Sequence, residues 1–324
     1  MPPLRRRALL GALLASPALA APGDWPSRPV RLIVGYPAGA STDLCARILA
    51  EDMRRRLPQP VIVENRPGAN GSLGAAFVAE AEPDGHTLLV SNTSTMTANH
   101  LLYRDIRYDP LRDLLPASTI TLSPFILSVS GKSRQRARMG SLAAILELAR
   151  SRPEGLTYGS GGIGNLQHLN MELLARKAGI RLLHVPFRGA APAENALVAG
   201  DVDLLLETPS AVPLIRDRAI DAIAVTGATR WRDLPEVPTL AEAGLPGLVL
   251  TFWNGLVAPA GLPPAIRDRL VGLMRAASEA PETRRLLLSQ GEVMVLPPEA
   301  FRERVAADIA RTAALIREAG IEMP

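Results

Sequence analysis

The sequence predicts an α/β protein of two domains, the second inserted into the first. Three observations lead there. Apolar β-type runs alternate with helical runs from residue 30 onward. Glycine (26) and proline (29) are plentiful while aromatics make up 4%, which suits short loops between α/β elements better than a β-sandwich. Two extended stretches, 119–129 and 248–258, bracket a middle α/β series. They read as strands crossing between domains, a hinge suited to closure on a ligand. With 324 residues, 47% of them hydrophobic, the chain can bury two sizeable cores.

Taken in order, residues 1–20 read as a signal peptide. Arg5, Arg6 and Arg7 form a basic start, 8–14 a short apolar run, and Ala18-Leu19-Ala20 a small-residue cleavage site. The arginine pair followed by apolar residues is compatible with either the general or the twin-arginine export route. The first domain begins with a strand over 30–34. A small-residue turn follows, Gly35-Tyr36-Pro37-Ala38-Gly39-Ala40, and then a helix opened by Ser41, Thr42 and Asp43, which are N-cap types. Arg54, Arg55 and Arg56 close that helix where cations suit its dipole. Strands over 61–63 and 87–90 flank a helix over 71–81, and this alternation implies parallel pairing with right-handed crossovers. After a proline- and aspartate-rich connection and the first extended stretch, the second series begins. It comprises helix 142–149, strand 156–158, helix 166–178, strand 182–187, helix 190–199, strand 202–207, helix 211–218 and strand 222–226. Helices over 263–280, 282–290 and 298–319 complete the chain. The domains are expected at 25–122 plus 253–324, and at 123–252.

The net charge of +4 falls to +1 once the three signal arginines are left out. A near-neutral surface argues against nucleic acid, and the cluster Lys132, Arg134, Arg136 and Arg138 reads as one solvated loop. No later run is long and apolar enough to span a membrane. Cys45, the sole cysteine, cannot form an intramolecular disulfide and reads as a small buried hydrophobe on a helix face.

The turn at 35–40 has a counterpart, Gly159-Ser160-Gly161-Gly162-Ile163-Gly164-Asn165, again between a strand and a helix start. Helix N-termini at strand C-terminal ends are anion sites. Two of them facing across a cleft would hold a dicarboxylate on backbone amides. The residues alone leave that reading level with two ordinary turns that need glycine for φ > 0. Nucleotide binding fails in detail. No G-x-x-x-x-G-K-[ST] is present, and no acidic residue ends the strand near 184. A serine hydrolase using Ser72 or Ser160 is poorly supported, since Asn70-Gly71-Ser72-Leu73-Gly74 misses G-x-S-x-G by one residue. The four histidines give no metal-ligand spacing, so neither metal nor cofactor is expected. His168 lies one turn into the second helix, within reach of a ligand. His184 reads as a core residue, Asp43 as a cap rather than a base, and Glu207 as a strand-end acid able to line the cleft.

A run of motifs adds to this: Tyr36 to Asp43, then Val63-Glu64-Asn65-Arg66-Pro67-Gly68-Ala69-Asn70-Gly71, Pro83-Asp84-Gly85-His86-Thr87, Tyr108-Asp109-Pro110, His184-Val185-Pro186-Phe187-Arg188-Gly189 and Val237-Pro238-Thr239-Leu240-Ala241-Glu242. Together they resemble the tripartite tricarboxylate transporter substrate-binding receptors, the TctC or Bug family, over nearly the whole chain after residue 25. The resemblance implies a type II periplasmic binding-protein fold, two Rossmann-like α/β lobes, with no enzymatic activity. It further implies an exported monomer that binds a small organic acid and serves a two-subunit membrane permease. A ligand sensor is the neighbouring alternative. Carried over residue by residue, the first-lobe site is Tyr36, Pro37, Ala38, Gly39, Ala40, Ser41, Thr42 and Asp43 with Ser91, Asn92 and Thr93. The second-lobe site is Ser160, Gly161, Gly162, Asn165, His168, Arg188 and Glu207. Three departures stand out: Ala40 where the family has a second Gly, Glu207 where Asp is common, and His86 for a usual Tyr.

Overall fold

The computed structural model describes residues 25–132, 139–152, 154–319 and 321. The expected signal peptide and the arginines at 134, 136 and 138 lie outside these residues. The described chain forms two sheets. Six strands make the first: β1 (Val30–Val34), β2 (Val61–Asn65), β3 (Thr87–Asn92), β4 (Leu114–Pro124), β10 (Thr251–Pro259) and β11 (Glu292–Val293). Their order is β11-β4-β10-β3-β1-β2. The second sheet holds β5 (Ile126–Ser130), β6 (Leu156–Ser160), β7 (Leu182–Pro186), β8 (Leu204–Glu207) and β9 (Ile220–Val225), in the order β7-β6-β8-β5-β9.

Strands β2, β1 and β3 pair in parallel, as the alternation with helices predicts. β1 is buried along almost its whole length because helices cover both faces of the sheet. Val30, Leu32 and Val34 meet the helix Ser41–Arg56, while Ile33 faces the opposite core. Burying each such side chain contributes about 1.5–3 kcal/mol. Cys45 is fully buried, its thiol pushed up to about 12 by that burial.

The two extended stretches do link the sheets, but their bounds differ from the sequence pattern. The run expected at 119–129 is two strands in different sheets, separated at Phe125. β4 begins earlier, at Leu114, and lies antiparallel to β10 from Leu114↔Pro259 to Pro124↔Thr251. Residues 248–250 precede β10. Thr226 ties the crossings together. Its Oγ1 accepts from the Phe125 N–H at 2.8 Å and donates to the Leu250 carbonyl at 2.6 Å. A π-helical turn, Ser94–Ala98, and the short helix Asn99–Leu102 occupy a segment that carries no helical signal in the sequence. They are stabilised from outside, with Ala98 and Leu102 buried in the core of the second sheet. The C-terminal helix Pro298–Ala319 adds Leu315 and Ile316 to the same core. Two lobes therefore share a packed side, and a cleft opens on the other.

Candidate functional site

The cleft has a volume of about 510 Å³ and is lined from both sheets at the C-terminal ends of parallel strands. On the first side, β1 runs into Gly35, which must be glycine because a Cβ there would lie 2.6 Å from the Gly71 Cα. The turn then leads to the helix Ser41–Arg56, whose N-cap is Ala40 with extended φ/ψ of −65° and 154°. Ala40 has no side-chain acceptor to offer. Ser41, Thr42 and Asp43, the cap candidates of the sequence, instead fill the first helical turn. Their three amides meet no acceptor among the described residues. Orphan donors at the positive end of a helix dipole form an anion site.

Side chains hold this turn in place. Asp43 Oδ2 accepts from the Gly39 N–H and from Arg47 Nε, each at 2.9 Å, and its Oδ1 accepts from Asn65 Nδ2 at 2.8 Å. Burial pushes the Asp43 carboxyl up, but Arg47, the Gly39 amide and Asn65 together outweigh it and hold the group below the usual carboxylate range. Asp43 is thus a brace, neither cap nor base. Thr42 Oγ1 donates to Asn254 Oδ1 at 2.8 Å and accepts from Asn92 Nδ2. The Tyr36 hydroxyl donates to Asn92 Oδ1 at 3.0 Å, and burial pushes it up to about 12. Asn70 is the centre of the neighbouring loop. Its carbonyl accepts from Thr95 and Asn99, although its φ is +51°. Ala69 is also left-handed, at φ +44°. Such strain persists where surrounding contacts over-determine it, commonly at functional sites.

The second side is built differently from the sequence expectation of two equivalent amide clusters. Asn165 caps the helix Leu166–Ala178, accepting from the His168 N–H at 2.9 Å. The Gly161 amide donates to Gln167 Oε1, that of Gly162 to Ser160 Oγ, that of Gly164 to His168 Nδ1, and that of Leu166 to Ser94 Oγ of the first lobe. Most of these donors are satisfied within the protein. Tyr103 adds a second bridge between lobes, donating to the Ile163 carbonyl at 2.9 Å.

His168 and His184 stack face to face behind this loop, ring centroids 4.0 Å apart, with Tyr158 beyond His184 at 4.8 Å. His184 Nε2 lies 2.7 Å from Ser160 Oγ. Burial drives His184 down to about 3, and the His168 charge adds to this. That makes it a poor base, and Ser160 is itself fully buried. Ser72 accepts from Asn99 Nδ2 at 2.8 Å. Neither serine is placed as a nucleophile. Because the folded His184 resists protonation, its contribution to stability is present above the unfolded histidine range and lost as pH falls through that range towards about 3. The wild-type melting temperature should fall over that interval. His184→Gln, which can still meet Ser160 but does not titrate, should show a shallower decline in thermal melts.

Of the residues singled out from the sequence, Tyr36, Pro37, Ala40, Ser41, Thr42 and Asn92 line the cleft from the first lobe. Gly161, Gly162, Asn165 and Arg188 line it from the second. Ala38, Gly39, Asp43, Ser91, Thr93, Ser160 and His168 lie off that wall. Glu207 is a correction to the strand-end reading. It is fully buried, and the next residue, Thr208, reaches the cleft instead. Neither Glu207 carboxyl oxygen has a hydrogen-bond partner among the described residues. Burial raises this carboxyl well above its ordinary value, and nearby Glu194 pushes it the same way. A raised group stabilises below its unfolded value and loses that contribution as pH rises. Glu207→Gln should therefore melt higher than wild type at alkaline pH, the gap narrowing towards about pH 4 in thermal scans.

Other wall residues escaped the sequence reading: Pro67, Gly68, Asn70 and Gly71 after β2, Tyr103, Phe125, Leu166, Phe187 and Phe252. The loop after β2 had a signal, turn residues at the end of a parallel strand. Phe125 and Phe252 had none, since they meet only where the strands cross, with ring centroids 4.9 Å apart. Arg188 is the one charged side chain among the described wall residues. The described residues hold no cluster of His, Cys, Asp and Glu fit for a metal, and no helix long and apolar enough to cross a membrane.

Comparison with known proteins bears on this geometry. A family model described as "Tripartite tricarboxylate transporter family receptor" matches residues 45–321. Protein BugT of Bordetella pertussis is 34% identical over 328 aligned positions, covering 98% of each chain. A solved structure from R. palustris with adipate has a TM-score of 0.88 at 33% identity, covering 93% of this chain and all of that one. The periplasmic binding protein BugD has a TM-score of 0.84 at 31% identity, with coverage of 93% and 100%.

Proposed function

The chain belongs to the tripartite tricarboxylate transporter receptor family, and from that membership we propose that it captures a small carboxylate between its lobes and delivers it to a membrane transporter. Members of this family are periplasmic substrate-binding proteins, not enzymes. The observation that carries the reading is the helix start at Ser41, Thr42 and Asp43, three unsatisfied amides beside a cleft of about 510 Å³. A carboxylate there completes the hydrogen bonds that Ala40 cannot make. The adipate in the R. palustris relative is a ligand of this chemical type. Contacts from Tyr103 and Ser94 to the second lobe support closure, because a ligand touching both lobes favours the arrangement in which they meet.

The same reading includes cleavage of residues 1–20, release into the periplasm as a monomer, docking to a two-subunit permease, and lobes at 25–122 plus 253–324 and at 123–252. A thermal-shift and calorimetric screen of residues 21–324 tests the binding step. Carboxylates should raise the melting temperature by mass action, while their amides should not. Equal shifts from adipate and adipamide would remove the anion site from the argument.

A further inference from the structure

We propose that a second cavity, on the packed side of the two lobes, binds a small aliphatic monocarboxylate. This goes beyond the receptor reading and does not rest on it. The cavity has a volume of about 350 Å³. Its walls are the helix Leu166–Ala178 of the second lobe, the C-terminal helix Pro298–Ala319 and residues 249–251 at the crossing into β10. Leu166 lines both this cavity and the cleft and so stands between them. Asn170 points to a ligand. It is 5% exposed, yet its side-chain amide has no hydrogen-bond partner among the described residues and opens onto the cavity. An amide so buried is costly to leave unbonded.

The charges on the same wall specify an anion. Asp308 is almost fully buried, and Trp253 Nε1 donates to its Oδ2 at 2.8 Å. Arg304 Nε donates to that oxygen at 2.9 Å, and Arg311 pairs with Oδ1. One carboxylate thus serves two guanidiniums. The Nη groups of Arg304 meet no acceptor among the described residues. Burial holds Arg304 below its ordinary range, and burial together with repulsion from Arg304 does the same to Arg311. An anion between them offsets that repulsion and takes up the open donors. Glu318, the other acid on the wall, is exposed and lies about 10 Å along the helix axis from Arg311, too far to do this. The remaining surface is largely apolar. Leu166, Leu173, Leu250 and Leu315 suit an aliphatic chain better than a second charge. Val249, on the same wall, is 57% exposed, and such a chain covers it. Because both lobes wall the cavity, an occupant favours the arrangement in which those walls meet.

Nuclear magnetic resonance titration of isotope-labelled residues 21–324 with hexanoate, acetate and hexanamide tests this, read at the Trp253 indole N–H. That group bonds Asp308 and so senses the cavity, while Trp253 is not part of the cleft wall. Hexanoate should shift the signal saturably, acetate should bind about 30-fold more weakly, and hexanamide should leave the signal unmoved. Arg311→Gln and Asn170→Leu should each weaken the hexanoate response about tenfold. Arg311 is exposed, and Asp308 keeps Arg304 and Trp253 when it is replaced, so this variant tests the site without disturbing the fold. Hexanoate held in the cleft would be indifferent to both substitutions. Equal affinity in wild type and both variants would therefore overturn the second site and leave the receptor reading standing. A Trp253 signal that hexanoate never moves would overturn the site outright. Hexanamide binding as tightly as hexanoate would overturn the anion, and acetate doing so would overturn the aliphatic body.

Discussion

Replacing Gly71 by alanine is expected to be the most damaging single-methyl change in the first lobe. Gly71 has φ +88°, a left-handed conformation that costs a non-glycine residue about 1 kcal/mol or more. Space is the larger problem. A Cβ there would fall inside the van der Waals envelope of Thr95 Oγ1 and come within 3.1 Å of the Tyr36 ring. Neither can retreat easily. Tyr36 donates to Asn92 and Thr95 Oγ1 to the Asn70 carbonyl, so moving one displaces the network around the cleft. Overpacking of this kind adds about 1–3 kcal/mol, for a total of roughly 2–4 kcal/mol of lost stability. Denaturant unfolding should show the loss as a shifted midpoint at unchanged slope. Carboxylate affinity should fall with it, because Tyr36 and Asn92 both line the cleft. A Gly71→Ala protein with wild-type stability and affinity would contradict the geometry of this loop.

Asp43→Asn is expected to have the second largest effect, and through positioning, since the residue does not reach the cleft wall. The side chain is almost fully buried and accepts three hydrogen bonds. An amide in its place turns two acceptor oxygens into one and sets an NH₂ group against a donor. Hydrogen bonds to charged groups contribute about 1.5–3 kcal/mol, so roughly 2–3 kcal/mol should be lost at pH 7. The exposed end of Arg47 adds little. Because the folded carboxyl is held low, its stabilisation is present above its unfolded value and is lost as pH falls through the folded one. The gap between wild type and variant should therefore close at strongly acid pH, as read by denaturant titration across pH. Release of the Gly39 amide should also loosen the helix start and weaken carboxylate binding about tenfold or more.

Much of the fold was legible because its signals are local. The buried run at β1 and the small residues after it specify strand, turn and helix within a single stretch. Proline and glycine mark where β4 ends and where the second loop begins. The segment Ser94–Leu102 was not legible, because its helical turns depend on a core made by residues of the other lobe. Glu207 was misplaced for a related reason. A strand end looks the same in sequence whether its last side chain faces a cleft or, like this one, lies fully buried near the Glu194 carboxyl.

The sequence by itself determined the α/β alternation, the two strand–turn–helix jaws and the family, since each rests on residues adjacent in the chain. Only the tertiary structure decided which amides remain open to a ligand. The helix start at Ser41 stays uncapped because Ala40 has no acceptor and no distant residue supplies one. Its counterpart is closed by Ser94, 72 positions away from Leu166. The tertiary structure also made the aromatic pair, by crossing strands that bring Phe125 beside Phe252. Periodicity and turn chemistry are properties of neighbours in sequence. Hydrogen-bond satisfaction and cavity lining are set by neighbours in space, and in this protein those come from the opposite lobe and the far end of the chain.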